Sequence, residues 1–127
     1  MVSAMEDMKR WVQLYVDGKT NGPATQKARL DCIPTGEGYS FGLGIGCDVG
    51  WYGYTGGLPG HNTAGFYSPA GHVTIIAWVT VQNDDPPPGV ANSVFRDIAQ
   101  IMTPANAPFQ RVHAARRKTS VEPGLTR

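Results

Sequence analysis

The first apolar positions of the chain recur with a helical period. Met8, Trp11, Val12 and Tyr15 follow one another at offsets of three, one and three, which sets them on a single stripe of an α-helix. Ser3 and Glu6 stand in the S-x-x-E arrangement of a capping box, where a hydroxyl and a carboxylate satisfy orphan N–H groups at a helix start. Gly18 supplies the positive φ expected just past a helix end. Asn21-Gly22-Pro23 then opens a second, short helix over Ala24 to Leu30, with proline tolerated in its first turn.

From Tyr39 the period shortens. Tyr39-Ser40-Phe41-Gly42-Leu43-Gly44-Ile45 alternates large apolar with small residues, predicting a strand whose glycine face lets another backbone approach. Trp51 to Thr55 predicts a second strand, and Gly56-Gly57-Leu58-Pro59-Gly60 a loop. Asn62 to Ser68 is the third strand, turned by Pro69-Ala70-Gly71. Val73 to Val81 is the fourth and strongest. One of its faces carries Val73, Ile75, Ala77, Val79 and Val81, the other Ile76 and Trp78, so both sides of the sheet need cover. Val90 to Met102 is one cover, since Val94, Phe95, Ile98, Ile101 and Met102 fall on one helical stripe. It follows Asn83-Asp84-Asp85-Pro86-Pro87-Pro88-Gly89, which reads as a stiff, exposed loop. The short links predict an antiparallel meander, and the whole predicts an α+β fold, an antiparallel β-sheet flanked by helices.

Composition narrows the function classes. A chain of 127 residues holds one domain, expected over residues 1–103, and its 16 glycines and 10 prolines make it rich in turns. Residues 104–127 carry Arg111, Arg116, Arg117, Lys118 and Arg127 against Glu122 alone, and are expected to form a basic, disordered tail. The net charge of +1 gives no reason for a polyanion partner, and Arg116-Arg117-Lys118 lacks interleaved aromatics, so nucleic acid is not expected. No run approaches the roughly 18 apolar residues of a membrane span. No basic-then-apolar start suggests a signal peptide, so the expected location is cytoplasmic.

Candidate chemistry is sparse. Cys32 and Cys47 lack CxxC spacing and a histidine cluster, which argues against a zinc or redox site. Two small buried thiols are expected, the alternative being a disulfide if a helix end meets an adjacent strand. His61 reads as a surface hairpin residue, His72 as part of a turn and His113 as part of the tail, so no Ser-His-Asp arrangement suggests itself. Asp84 and Asp85 read as a solvated pair, with no hard ligands nearby to complete a metal site. Gly42, Gly44 and Gly46 alternate with apolar residues and precede no helix, which fits a strand and not a phosphate loop. No cofactor is implied.

The distinctive stretch is Phe41-Gly42-Leu43-Gly44-Ile45 followed by Trp51-Tyr52-Gly53-Tyr54-Thr55-Gly56-Gly57-Leu58-Pro59-Gly60-His61-Asn62. It resembles the "YGLG…GHTGGLPGF" region in the C-terminal part of the serine β-lactamase and penicillin-binding D-alanyl-D-alanine carboxypeptidase family. The likeness runs in register from Val2 to Met102 and implies a partial β-lactamase/transpeptidase-like fold. The family's third motif is K-T-G, or a variant with His first, on a strand bordering the active site. Tyr54-Thr55-Gly56 matches it. The resemblance implies that Thr55 hydrogen-bonds a substrate carboxylate, that Gly56 keeps the strand edge low, and that the Gly57 N–H donates to an oxyanion. Tyr54 departs from the pattern: a phenol donates a hydrogen bond but brings no charge, which leaves room for esterase-like chemistry.

The family nucleophile lies in S-x-x-K. Here Ser3 is followed by Glu6, Ser40 by Leu43, Ser68 by Gly71, Ser93 by Arg96 and Ser120 by Pro123, and no Tyr-x-Asn precedes the leading helix. No residue therefore qualifies as a catalytic nucleophile. The expectation is a truncated β-lactamase-related serine hydrolase that keeps the substrate edge and is inactive alone. The alternative is a non-catalytic interaction or ligand-binding module that pairs through an exposed strand edge. In the resembled family, N-terminal strands pair beside the last strand, and full-length relatives are often exported. The implied partner is a complementary N-terminal segment, or a second copy joined through Val73–Val81.

Overall fold

The leading helix begins one residue later than the capping pattern predicts. In the computed structural model, which describes residues 3–35, 40–81 and 89–106, α1 spans Met5–Val16 with Ala4 at its N-cap. An alanine side chain offers no acceptor, so only the carboxylate half of a capping box forms. The Ala4 N–H donates to Asp7 Oδ2 at 3.3 Å, while Ser3 Oγ donates to the Ala4 carbonyl and Glu6 pairs with Lys9. The buried side of α1 is Val12 and Val16, with Met8 and Tyr15 half-buried and Trp11 half exposed along one flank. Gly18 closes the helix at φ +73°.

Helix α2, Pro23–Leu30, folds back so that its side chains satisfy the carbonyls at the end of α1. Gln26 Nε2 donates to the Val16 carbonyl at 2.7 Å. The buried Arg29 guanidinium donates to the Tyr15 carbonyl at 3.2 Å and lies 3.7 Å from the centroid of the Tyr15 ring.

Six strands follow in one antiparallel meander, in sequential order: β1 Ile33–Pro34, β2 Ser40–Gly42, β3 Ile45–Asp48, β4 Trp51–Leu58, β5 His61–Ser68 and β6 Val73–Val79. With the helices they make the α+β fold that the periodicity predicts. Strand β1 is not among the expected strands, β5 starts one residue early, and three larger differences from expectation stand out. The single strand expected from Tyr39 is a hairpin, because Gly44 at φ +69° turns the chain and pairs Gly42 with Ile45. Leu43 is then exposed at the turn, and Tyr39 lies outside the described residues. The expected loop at residues 56–60 is mostly strand, and only Pro59-Gly60 turns, with Gly60 at φ +80°. At its far end β6 stops at Val79, short of Val81.

Two cores lie on opposite faces of this sheet. On one, Trp51, Ala64, Phe66, Ile75 and Ala77 meet α3, Val90–Met102. That helix has the expected bounds, but its buried side is rotated from the expected stripe. Ala91, Asn92, Phe95 and Ala99 face the sheet, whereas Val94 and Ile98 sit on a flank and Ile101 and Met102 are exposed. Phe95 sets the rotation: it stacks on Phe66 at 4.2 Å and meets Trp51 edge-on at 5.3 Å, with alanines on either side letting the helix close in.

On the opposite face, Val12 and Val16 pack on Ile45, Cys47 and Tyr67. Cys47 is bonded to Cys32, so the two cysteines are a disulfide and not the buried thiols expected. The chain leaving α2 crosses β2 at Gly42, where a Cβ would come to 3.2 Å of Cys32 Sγ, and this brings Cys32 to Cys47 on the next strand.

Past the expected domain edge the chain continues through a 3-10 turn, Pro104–Asn106. The basic tail beyond it and the acidic, proline-rich loop at residues 82–88 lie outside the described residues. Among the described residues no helix is long and apolar enough to cross a membrane.

Candidate strand-edge site

The candidate site follows from a difference in length between two paired strands. β3 has four residues and β4 has eight. The Val49-Gly50 turn, with φ +42° and +80°, is a primed hairpin turn that fixes their register, and the pairing ends at Gly46 opposite Gly53. Among the described residues, Tyr54 to Leu58 therefore have β5 on one side and an open edge on the other.

Strand parity decides which groups face that edge. Leu58 and His61 flank a two-residue turn and form a hydrogen-bonded pair, so Leu58, Gly56 and Tyr54 direct their N–H and C=O toward β5. Thr55 and Gly57 direct theirs the other way, past the end of β3. The structure thus brings the four residues singled out in the sequence onto one short edge. The four alternate between the faces: Tyr54 and Gly56 belong to the α1 face, Thr55 and Gly57 to the α3 face. Tyr54 is exposed, its ring edge-on to Phe41 at 6.4 Å. At Gly56 a Cβ would come to 3.0 Å of Thr63 Oγ1, so glycine keeps this part of the sheet flat.

Beside this edge, on the α1 face, runs an apolar groove of about 190 Å³. Met8, Trp11 and Tyr15 of α1 form one wall, and Tyr54, Gly56, Thr63, Gly65, Ile76 and Trp78 form the sheet floor. Trp11 stacks on Tyr15 at 4.8 Å, and Tyr15 Oη donates to the Gly44 carbonyl at 2.9 Å, which anchors the wall to the β2–β3 turn. The apolar stripe predicted on α1 is thus split between core and groove. Periodicity could not separate the two, because both demand apolar residues on the same side of the helix.

Chemically, the arrangement offers main-chain donors and acceptors at Thr55 and Gly57, beside an apolar surface with hydroxyls at Tyr54 and Thr63. Among the described residues no serine, cysteine, lysine or carboxylate lines the groove. Ser68 is buried at the far end of β5, and Ser93 Oγ donates to the Gly89 carbonyl. His61 is exposed beside the Pro59-Gly60 turn, and His72 takes φ +51° in the turn at the opposite end of the sheet, so no catalytic pair forms between them. His113, Asp84 and Asp85 lie outside the described residues. The phenol that departs from its ordinary range is Tyr67, pushed up by burial beneath α1 and then by the Asp17 carboxylate; it belongs to the core, not the groove.

No protein-family model matches the chain, and no curated protein matches it in sequence.

Proposed function

We propose that this chain supplies the substrate-binding edge of a serine acyl-hydrolase site of the β-lactamase and penicillin-binding type, and that the attacking serine comes from a different segment. The observation that carries this reading is the free β4 edge at Thr55 and Gly57. In acyl transfer, developing negative charge on the carbonyl oxygen needs a fixed N–H donor, and a strand edge provides one without side-chain entropy. Gly57 N–H has that placement. Thr55 C=O and N–H are the groups along which an acyl-D-alanyl chain would extend, and Gly56 leaves room for it. Tyr54 takes the position at which a charged residue would attract a carboxylate, so the substrate edge favours neutral or ester-like ligands over anionic ones.

Binding and turnover are separable in this chain. The methyl ester of an acyl-D-alanyl-D-alanine peptide should shift the amide resonances of Thr55 and Gly57 in a two-dimensional NMR titration of the purified chain, and more than the free acid does. A chromogenic cephalosporin should remain unhydrolysed, and a fluorescent penicillin should not label the chain. Covalent labelling would disprove the absence of a nucleophile. Unmoved Thr55 and Gly57 amides, with peptide, ester and β-lactam ligands alike, would rule out the substrate edge.

A further inference from the structure

The sheet has a second open edge that the proposed site does not use. β6 is the last strand in the order, and among the described residues nothing pairs with its outer side. Parity again identifies the exposed groups. Val73, Ile75, Ala77 and Val79 are hydrogen-bonded to β5, so Thr74, Ile76 and Trp78 present their N–H and C=O outward. Exposed edges are ordinarily protected by lysine, proline or a bulge. Residues 73–79 contain no charge and no proline, and their register with β5 is unbroken.

The helix beside this edge is unfinished on the same side. α3 runs antiparallel to β6. Its first turn is held by Asn62 Oδ1, which accepts from the Ala91 N–H at 3.0 Å across from Val79, and its end reaches Gly71 through the Thr103 side chain. A right-handed helix running that way beneath Ile75 and Ala77 turns Asn92 and Arg96 toward β5. It turns Val94, Ile98 and Ile101 toward the open side of β6. These three are 37%, 36% and 81% exposed.

We propose that a second copy of this chain covers both features, joined through β6 about a two-fold axis at Ile76. The edge is self-complementary in that register: Thr74 lies opposite the partner's Trp78 and Ile76 opposite the partner's Ile76, in hydrogen-bonded pairs exchanging roughly six main-chain bonds. Because α3 lies across β5 and β6, the same axis sets the two α3 helices side by side. Their separation is two strand spacings, about 9.6 Å, which is within the 8–10 Å at which helices pack. An added strand alone would close the edge and leave Val94, Ile98 and Ile101 in water; a second copy covers them with their own equivalents. On the other face, Ile76 and Trp78 line the seam. Glu6 and Lys9 of α1 pair with each other within each copy.

Equilibrium sedimentation of the full chain tests this, combined with residue-resolved hydrogen exchange. The expected species has twice the 13.7 kDa chain mass, with slow exchange at Thr74, Ile76 and Trp78 that becomes fast on dilution. Trp78→Pro removes one outward N–H without touching the β5 ladder. Ile98→Lys places like charges in the helix seam on an already exposed position. Each should raise the dimer dissociation constant by at least about 100-fold, with the circular dichroism spectrum unchanged. A monomeric wild-type chain overturns the proposal, whether its edge is open or covered by its own remaining residues. So does a dimer whose Thr74, Ile76 and Trp78 amides exchange freely, or one that survives both substitutions.

Discussion

Breaking the Cys32–Cys47 bridge should cost this fold a large share of its stability. The bridge closes a loop of 15 residues. In the chain-entropy account a loop of that length removes about 3 kcal/mol of conformational freedom from the unfolded state. Domains of this size are stable by only about 5–15 kcal/mol. With a urea dependence of about 1–3 kcal/mol per molar, the unfolding midpoint should fall by roughly 1–3 M. The measurement is urea unfolding followed by tryptophan fluorescence, with and without dithiothreitol, repeated on a Cys32→Ala/Cys47→Ala chain. Alanine suits the test because Cys47 is buried among Val12, Val16, Ile45 and Tyr67, where a serine hydroxyl would carry its own desolvation penalty. The loss should also be local. The bridge ties β3 to the chain leaving α2, and the β2–β3 turn holds Tyr15 through the Gly44 carbonyl. Amides of β3 should therefore lose exchange protection before those of β5. Superimposable unfolding curves, or two thiols titrating with Ellman's reagent in the folded, unreduced chain, would show that no stabilising bridge is present. Disulfides persist in oxidising compartments, so a bridge present in protein isolated under alkylating conditions would count against the cytoplasmic expectation.

Two further outcomes are expected. Phe95→Ala should destabilise the fold by about 3–5 kcal/mol, since Phe95 is fully buried against Phe66 and Trp51, whereas exposed Ile101→Ala should change a monomeric chain by less than about 0.5 kcal/mol; equal effects in chemical denaturation would show that the rotation of α3 is wrong. Stability should be independent of this phenol below pH about 10 and decline above it. Tyr67 has its pKa raised in the fold by burial and then by Asp17, so the unfolded chain loses that proton first. The alkaline decline should be smaller in Tyr67→Phe, and a decline of the same size in that variant would sink the assignment.

The elements were more legible in the sequence than their faces. The meander and both bounds of α3 follow from periodicity and turn residues, because strands and helices impose different repeats on the same alphabet. The rotation of α3 does not follow, because Ala91 and Ala99 carry too little hydrophobicity to outvote Ile98, Ile101 and Met102. Burial is decided by what fits beneath Phe95 against the sheet, a tertiary matter. The hairpin at Leu43-Gly44 was hidden for a related reason: an alternation with glycine at every second place is equally compatible with one strand or with two arms around a positive-φ residue. Capping failed by one residue, since Ser3 and Asp7 both present oxygens and only the start of the helix selects between them. The disulfide depends on the chain leaving α2 crossing the glycine of β2 to reach β3, which no local pattern contains.

The error with most bearing on function concerns residues 56–60. Glycine, proline and low side-chain bulk argue for a loop there, and a loop would have left Thr55 as the last ordered residue of the site. Pairing overrides that propensity. Gly56, Gly57 and Leu58 lie opposite Thr63, Asn62 and His61, and Asn62 is itself clamped between the Gly56 carbonyl, to which its Nδ2 donates at 3.3 Å, and the first turn of α3. A long-range contact thus holds a glycine-rich segment extended. Since the Val49-Gly50 turn fixes the register of β3, every residue added to β4 by that contact is added without a neighbour on the outer side. Glycine is then the residue that suits both demands. It permits a flat edge over Thr63, and it leaves the Gly57 N–H accessible to whatever lies alongside. The open edge is thus a consequence of two fixed turns and one buried asparagine. Asn62→Ala should loosen the edge, opening the Gly56 and Leu58 amides, which face β5, to faster exchange, although Asn62 directs its side chain into the α3 face and not into the groove.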